Sequence, residues 1–317
     1  MSVSPSPILP SDSSSVNNND FKADLKLAAG PTIKNLISIS NGSPLKKKLF
    51  LDPQTQETVT MTGAQGNLIP GHLYIPKGRL PAPAILLLHG STPVGKQMGL
   101  YRLLGYRLAE QGYVVLTIDQ RGHGQAPRPK VVKSPQDLDF SADAMLALAY
   151  LKERSEVNSD EVYLLGHSFG GDVAITSGAR GIEVEKILAF GPGRRYKTRV
   201  QDELPYFCRR FSRYMKLNEI ISPDLFLKTI GAQLLEEQAE AYKSAGHTPI
   251  MLIDGGYESQ ADREFLATLV GELAESVQYK SIPKADHYAN VAFFGRLIVY
   301  DEPVLERFLS EITAWFR

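Results

Sequence analysis

The stretch Val162-Tyr163-Leu164-Leu165-Gly166-His167-Ser168-Phe169-Gly170-Gly171 decides the fold. Four apolar residues ahead of a glycine read as a short strand buried on both faces. The apolar and small residues from Phe169 to Ala179 read as a helix. Between them lies G-x-S-x-G, a pattern that puts a serine on a sharp strand-to-helix turn in strained backbone geometry. Glycines on either side let the neighbouring strand and the next helix approach closely, and the helix start turns its amides and positive dipole end toward the serine. Five residues with three fixed recur by chance; the flanking strand and helix make this occurrence specific.

Working outward, the same alternation continues. Upstream, Asn67–Ile75 reads as a strand, Ala84–Leu88 as a strand buried on both faces, Lys96–Gln111 as a helix and Tyr113–Ile118 as another buried strand. Asp119-Gln120-Arg121-Gly122-His123-Gly124 is a glycine-rich turn, and Ser134–Arg154 carries apolar residues at helical spacing. Downstream, Lys186–Phe190 and Pro249–Ile253 read as strands, Asp262–Leu273 as a helix, Val277–Ile282 as a last strand and Glu302–Phe316 as a closing amphipathic helix. Such alternation implies right-handed crossovers and an α/β fold, a mostly parallel central sheet with helices on both faces. The segment Gly191–Thr248 exceeds what one crossover needs. Its helical patterns, such as Lys228–Ala245, make 194–246 a helical lid inserted after a late strand, above the edge where open α/β sheets bind ligands. The resulting division is a disordered tail at 1–19, an N-terminal arm or leading strands at 20–66, a core at 67–193 and 247–317, and the lid at 194–246.

The chain has 317 residues, 43% hydrophobic and 22% charged, enough for a substantial core. Its 35 Lys and Arg balance 35 Asp and Glu, which argues against a nucleic-acid partner, since phosphate binding calls for cationic excess. The longest apolar runs are too short for a membrane span. Cys208 is the only cysteine, so thiolate zinc or iron–sulfur sites and intramolecular disulfides are excluded. Neither a basic-then-apolar signal nor an Arg-rich transit pattern is visible, which leads to a cytoplasmic expectation. Nothing calls for a metal or an organic cofactor.

A serine hydroxyl needs a base. Of six histidines, His89 and His123 sit in turns where imidazoles make structural hydrogen bonds. His167 lies inside the turn and points elsewhere, His72 precedes the core strands and His247 sits at the lid's exit. His287 follows the last expected strand, where a loop reaches across the sheet edge to Ser168, and is the candidate base. The acid that orients it should follow Pro249–Ile253, where Asp254, Glu258 and Asp262 compete. Asp262 is a natural helix N-cap and Asp254 abuts the strand, while Glu258 lies at the loop apex with the longer arm and is favoured, with Asp254 second. An oxyanion needs preorganised donors, typically worth about 3 kcal/mol each. One is the Phe169 amide, and the other comes from the loop after Ala84–Leu88, with Ser91 first and Thr92 second.

Leu88-His89-Gly90, the turn Asp119–Gly124, Gly166–Gly170 and Ala285-Asp286-His287 together resemble the α/β-hydrolase superfamily over about 67–317. In that superfamily the acid follows nine residues after a proline opening its strand, and Pro249 to Glu258 matches. Leu73-Tyr74-Ile75-Pro76 is similar to the dienelactone hydrolase and prolyl-oligopeptidase-like branches, although this chain has Ser168 where dienelactone hydrolases carry cysteine. The resemblance implies a serine hydrolase acting on a small acyl substrate, an ester first. A peptidase, thioesterase or acyltransferase of the same mechanism is the alternative, and a non-hydrolytic lyase or ligand-binding member of the fold, monomeric or homo-oligomeric, is the reading from another class. The early lid is basic, with Arg194, Arg195, Lys197, Arg199, Arg209, Arg210, Arg213 and Lys216. It serves either an anionic substrate group or, the simpler expectation, a solvated helix face.

Overall fold

The computed structural model describes residues 46–51, 56–63, 66–128, 131–192, 200–226, 248–257 and 277–317. The expected N-terminal tail, the helices at Lys228–Ala245 and Asp262–Leu273, His247 and Glu258 lie outside them.

An eight-stranded sheet forms the centre, in the order β2-β3-β5-β4-β6-β7-β8-β9. Its strands are β2 (Glu57–Thr62), β3 (Leu68–Tyr74), β4 (Ala82–Leu88), β5 (Val114–Ile118), β6 (Val157–His167), β7 (Lys186–Phe190), β8 (Ile250–Gly255) and β9 (Val277–Ile282). From β5 through β9 all neighbours are parallel; β2 and β3 join antiparallel at one edge. The continuous apolar runs divide strictly by pleat. Ala84, Leu86 and Leu88 of β4 enter one core cluster with Leu116, Leu164 and Ile187, while Ile85 and Leu87 enter the other with Val115, Leu165 and Leu188. Helices α2 (Phe140–Lys152) and α3 (Phe169–Ala179) cover the first face, and α1 (Gly99–Glu110) and α6 (Glu302–Phe316) the second. In α6 the Asp301 carboxylate caps the first turn by accepting from the Val304 amide at 3.4 Å.

Two expectations need correction. His72 does not precede the sheet; it is buried within β3, an interior strand. Nor is Val277–Ile282 the last strand, because β10 (Ala292–Phe294) and β11 (Leu297–Asp301) form a hairpin about Gly295, at φ +58°. β1 (Lys46–Phe50) pairs with β11 to complete a separate three-stranded sheet. The basic Lys46–Lys48 cluster thus opens a strand, with Lys47 Nζ 3.4 Å from Glu302.

Between β7 and β8, α4 (Val200–Met215) and the short α5 (Pro223–Phe226) lie above the first face, and Cys208, Phe211, Met215 and Phe226 join the cluster that holds Phe169. No helix among the described residues is long and apolar enough to cross a membrane.

The loops after β4 and β5 are tied together by buried polar groups. Lys96 and Asp119, both fully buried, pair at 2.5 Å. Asp119 also accepts from the amides of Lys96 (2.8 Å) and Gln125 (2.9 Å). Arg121 makes a bidentate pair with Asp143 of α2, both bonds 2.6 Å. His89 accepts at Nε2 from the Gln120 amide at 3.0 Å and meets Gly90 O through Nδ1 at 2.7 Å. Because a carbonyl only accepts, Nδ1 carries the proton and the ring is neutral.

Burial lowers the pKa of three histidines here. His72 falls to about 4, with Lys96 adding to the effect; His123 falls to about 3, with His89 adding to it; His89 moves in the same direction. The unfolded chain protonates these imidazoles below about pH 6.5 whereas the folded one does not, so unfolding takes up protons. Their contribution is full above that pH and is lost as pH falls toward 4, by up to about 1.4 kcal/mol per unit for each histidine. Urea unfolding between pH 7 and 4.5 is expected to show this decline, and His72→Gln should flatten it by close to one proton; an unchanged slope would contradict the burial argument. In the same assay Asp119→Asn, which strands the buried Lys96 charge, should destabilise by about 3 to 5 kcal/mol.

Candidate active site

The sequence-selected groups that are described gather at the C-terminal ends of parallel strands. Gly90 and Ser91 follow β4, Ser168 follows β6, Asp254 sits near the end of β8, and His287 follows β9. Ser168 has φ +52° and ψ −121°, a conformation that side-chain-bearing residues rarely adopt. Its surroundings hold it there. A Cβ on Gly166 would overlap the Gly170 carbonyl, and one on Gly170 would overlap Leu88 O and stand 2.6 Å from His89 O. The Ser168 amide donates to Phe190 O of β7 at 2.8 Å, and its carbonyl receives the Gly171 amide at 2.8 Å. Phe169 is the first residue of α3, so its amide has no acceptor within the helix.

Gly90 packs onto this turn so closely that a Cβ would stand 2.9 Å from Ser168 Cβ. Its amide is already committed, donating to Tyr101 Oη at 2.6 Å. That removes Gly90 as an oxyanion donor and leaves the following amide, that of the exposed Ser91, as the candidate on this loop.

A feature missed in the sequence begins at the same phenol. Tyr101 Oη lies 2.8 Å from His167 Nδ1, and His167 Nε2 lies 2.7 Å from the backbone carbonyl of His287. The carbonyl can only accept, so Nε2 donates and Nδ1 accepts from Tyr101, whose oxygen accepts from Gly90. One directed relay therefore joins the loop after β4, the serine turn and the His287 loop. Burial and then His287 push the His167 pKa well down, which keeps the ring neutral and the relay fixed. Reading His167 as merely pointing elsewhere was incomplete. It points at the backbone of His287, the candidate base, with ring centroids 4.9 Å apart. Nothing in the spacing of Tyr101 within α1 signals that role.

The His287 loop is braced from within. Asp286 Oδ1 accepts from the amides of Tyr288 (2.8 Å) and Asn290 (2.7 Å), and Asn290 Oδ1 accepts from the Asp286 amide at 2.9 Å. The Tyr257 amide donates to Ala285 O at 2.9 Å, tying the end of β8 to the His287 loop. Asp254, the second-choice acid, is fully buried in β8 and accepts from Tyr279 Oη at 2.8 Å.

A family model described as serine aminopeptidase, S33, matches residues 80–228. Esterase EstD of Thermotoga maritima is 31% identical over 166 residues, 50% of this chain and 38% of that protein, so the match spans well under two thirds of that relative. An uncharacterised protein of Mycobacterium tuberculosis is 24% identical over 283 residues, covering 89% of this chain and 88% of that one. Among solved structures, that of DcsB in complex with its substrate analogue aligns with a TM-score of 0.60 at 16% identity, covering 83% of this chain and 99% of the other. Identity that low speaks to fold alone. The sheet order, the serine turn between β6 and α3 and these likenesses agree that the chain has the α/β-hydrolase fold.

Proposed function

We propose that the protein is a serine hydrolase that cleaves a carboxylic ester, or a related acyl bond, through an acyl-serine intermediate. The observation that carries this reading is Ser168 at positive φ between β6 and α3, with the His287 loop hydrogen-bonded to the residue beside it. Ser168 Oγ attacks the acyl carbon while His287 takes its proton. The oxyanion forms against the amides of Phe169 and Ser91. Protonated His287 then gives the proton to the leaving group, and water, activated by the same imidazole, releases the acid. Glu258 orients His287. Asp254 is the weaker choice because it lies inside β8 with one oxygen taken by Tyr279. The segment 194–246 acts as a lid over this edge, and the acyl substrate needs no metal or organic cofactor for the steps described. The name of the esterase relative supports an ester; the aminopeptidase description of the matched family supports a peptide amide as the second reading.

A fluorophosphonate probe should label Ser168 in the native protein and fail on Ser168→Ala; native protein that stays unlabelled at pH 8 ends the hydrolase reading. Hydrolysis of short para-nitrophenyl esters should fall at least about a thousandfold in His287→Ala. Glu258→Gln is expected to lose roughly 10³- to 10⁴-fold and Asp254→Asn far less, so the reverse ranking would move the acid to Asp254. Tyr101→Phe cuts the relay without touching the reacting groups. Its kcat should drop about tenfold with KM unchanged, and a rise in KM alone would mean that the relay shapes the pocket instead.

A further inference from the structure

Resting on that hydrolase reading, we propose that Arg210 receives a carboxylate carried by the substrate, so that the enzyme favours acyl compounds with an anionic group.

The basic stretch of α4 is not uniform. Arg209 and Arg213 are exposed, as a solvated face requires, whereas Arg210 is half-buried. The helix sits over the site edge. Met215 packs against Gly122 so tightly that a Cβ there would overlap its sulfur, and Cys208, Phe211 and Met215 share a core cluster with Phe169. Gly122 in turn adjoins His123, whose ring stacks on Phe169 with centroids 5.9 Å apart.

What surrounds Arg210 is phenolic. Its Nε donates to Tyr214 Oη at 3.1 Å, and its guanidinium stands 5.2 Å from the centroid of that ring. The other groups acting on its charge are Tyr206 and Tyr288. Tyr288 lies beside the candidate site, its ring 5.2 Å from that of His287 and 5.7 Å from that of His167. No carboxylate pairs with Arg210 among the described residues, in contrast to Arg121 with Asp143, Arg107 with Glu306 and Arg180 with Asp139.

A guanidinium stays charged at any working pH, and taking it partly out of water without an anion is unfavourable. Among the described residues phenols hold and orient it, but no carboxylate compensates its charge and only Nε of its planar fork has an acceptor. That fork matches a carboxylate in shape and charge. An anionic group on a substrate lying between α4 and the His287 loop supplies the missing counterion.

Two ester pairs of matched size test this. In the acyl pair, para-nitrophenyl butyrate is compared with the para-nitrophenyl monoester of succinic acid. In the leaving-group pair, phenyl butyrate is compared with meta-carboxyphenyl butyrate. In at least one pair the anionic-to-neutral ratio of kcat/KM should fall roughly tenfold in Arg210→Gln, the loss of one charge-assisted contact. Arg210→Lys should retain part of the ratio, and Arg209→Gln should leave it unchanged. The inference is overturned if Arg210→Gln leaves the ratio of both pairs as in the parent, or if Arg209→Gln lowers it equally. Ser168→Ala separates the two levels: if the parent protein cleaves none of the four esters faster than that variant, the hydrolase reading fails and this one with it. Turnover that depends on Ser168 with a ratio indifferent to Arg210 removes only the carboxylate.

Discussion

The site depends on how closely backbone can approach backbone around Ser168. Strand β6 must turn into α3 with the serine at positive φ, a strain of order 1 to 3 kcal/mol. The turn fits only because Gly166 and Gly170 have no side chains where the Gly170 and Leu88 carbonyls stand. Gly90 applies the same logic from the facing loop. Two backbone bonds, one into β7 and one within the turn, then fix the conformation. The parallel order of β4, β6, β7 and β8 is thus a precondition of the chemistry, because those strands bring the crowding atoms to one edge.

A crowded turn still needs its partner loops at a fixed distance, and buried polar groups supply that. Lys96 with Asp119 and Arg121 with Asp143 lock the loop after β5 to its neighbours, and His89 bonds that loop to the one after β4. In surroundings poor in water, a satisfied network of this kind has few alternative arrangements, and removing one member leaves an unpaired polar group or charge. Stability and preorganisation here come from the same contacts. Any change that loosens Asp119 acts on the amide of Lys96 as well as on its charge, since one carboxylate holds both.

Much of this was legible in the sequence because it rests on short-range rules. Runs such as Ala84–Leu88 and Val162–Leu165 are apolar on both pleats, which only a covered parallel strand requires, and G-x-S-x-G places the serine without any long-range information. The hairpin of β10 and β11 escaped notice because its strands are short and β11 pairs with β1, nearly the whole described chain away. Tyr101, in the middle of α1, reads as an ordinary core aromatic; its contact with His167 spans 66 positions. Arg210 looks like its neighbours in the sequence, and only burial against Tyr214 separates it from Arg209.

The histidines show how environment, not residue type, assigns a role. His72, His89, His123 and His167 are all buried, and the cost of charging an imidazole away from water keeps each of them neutral. They serve as rigid hydrogen-bonding plates: His89 fastens two loops, and His167 carries the relay from Gly90 to the carbonyl of His287. His287 alone among the described five is only half-buried, on a loop braced by Asp286 and Asn290. A general base must gain and lose a proton on each cycle without disturbing its support. On the proposed reading, holding His287 by its backbone carbonyl, through a neighbour that burial keeps neutral, lets the loop stay in place whichever way the imidazole's proton moves.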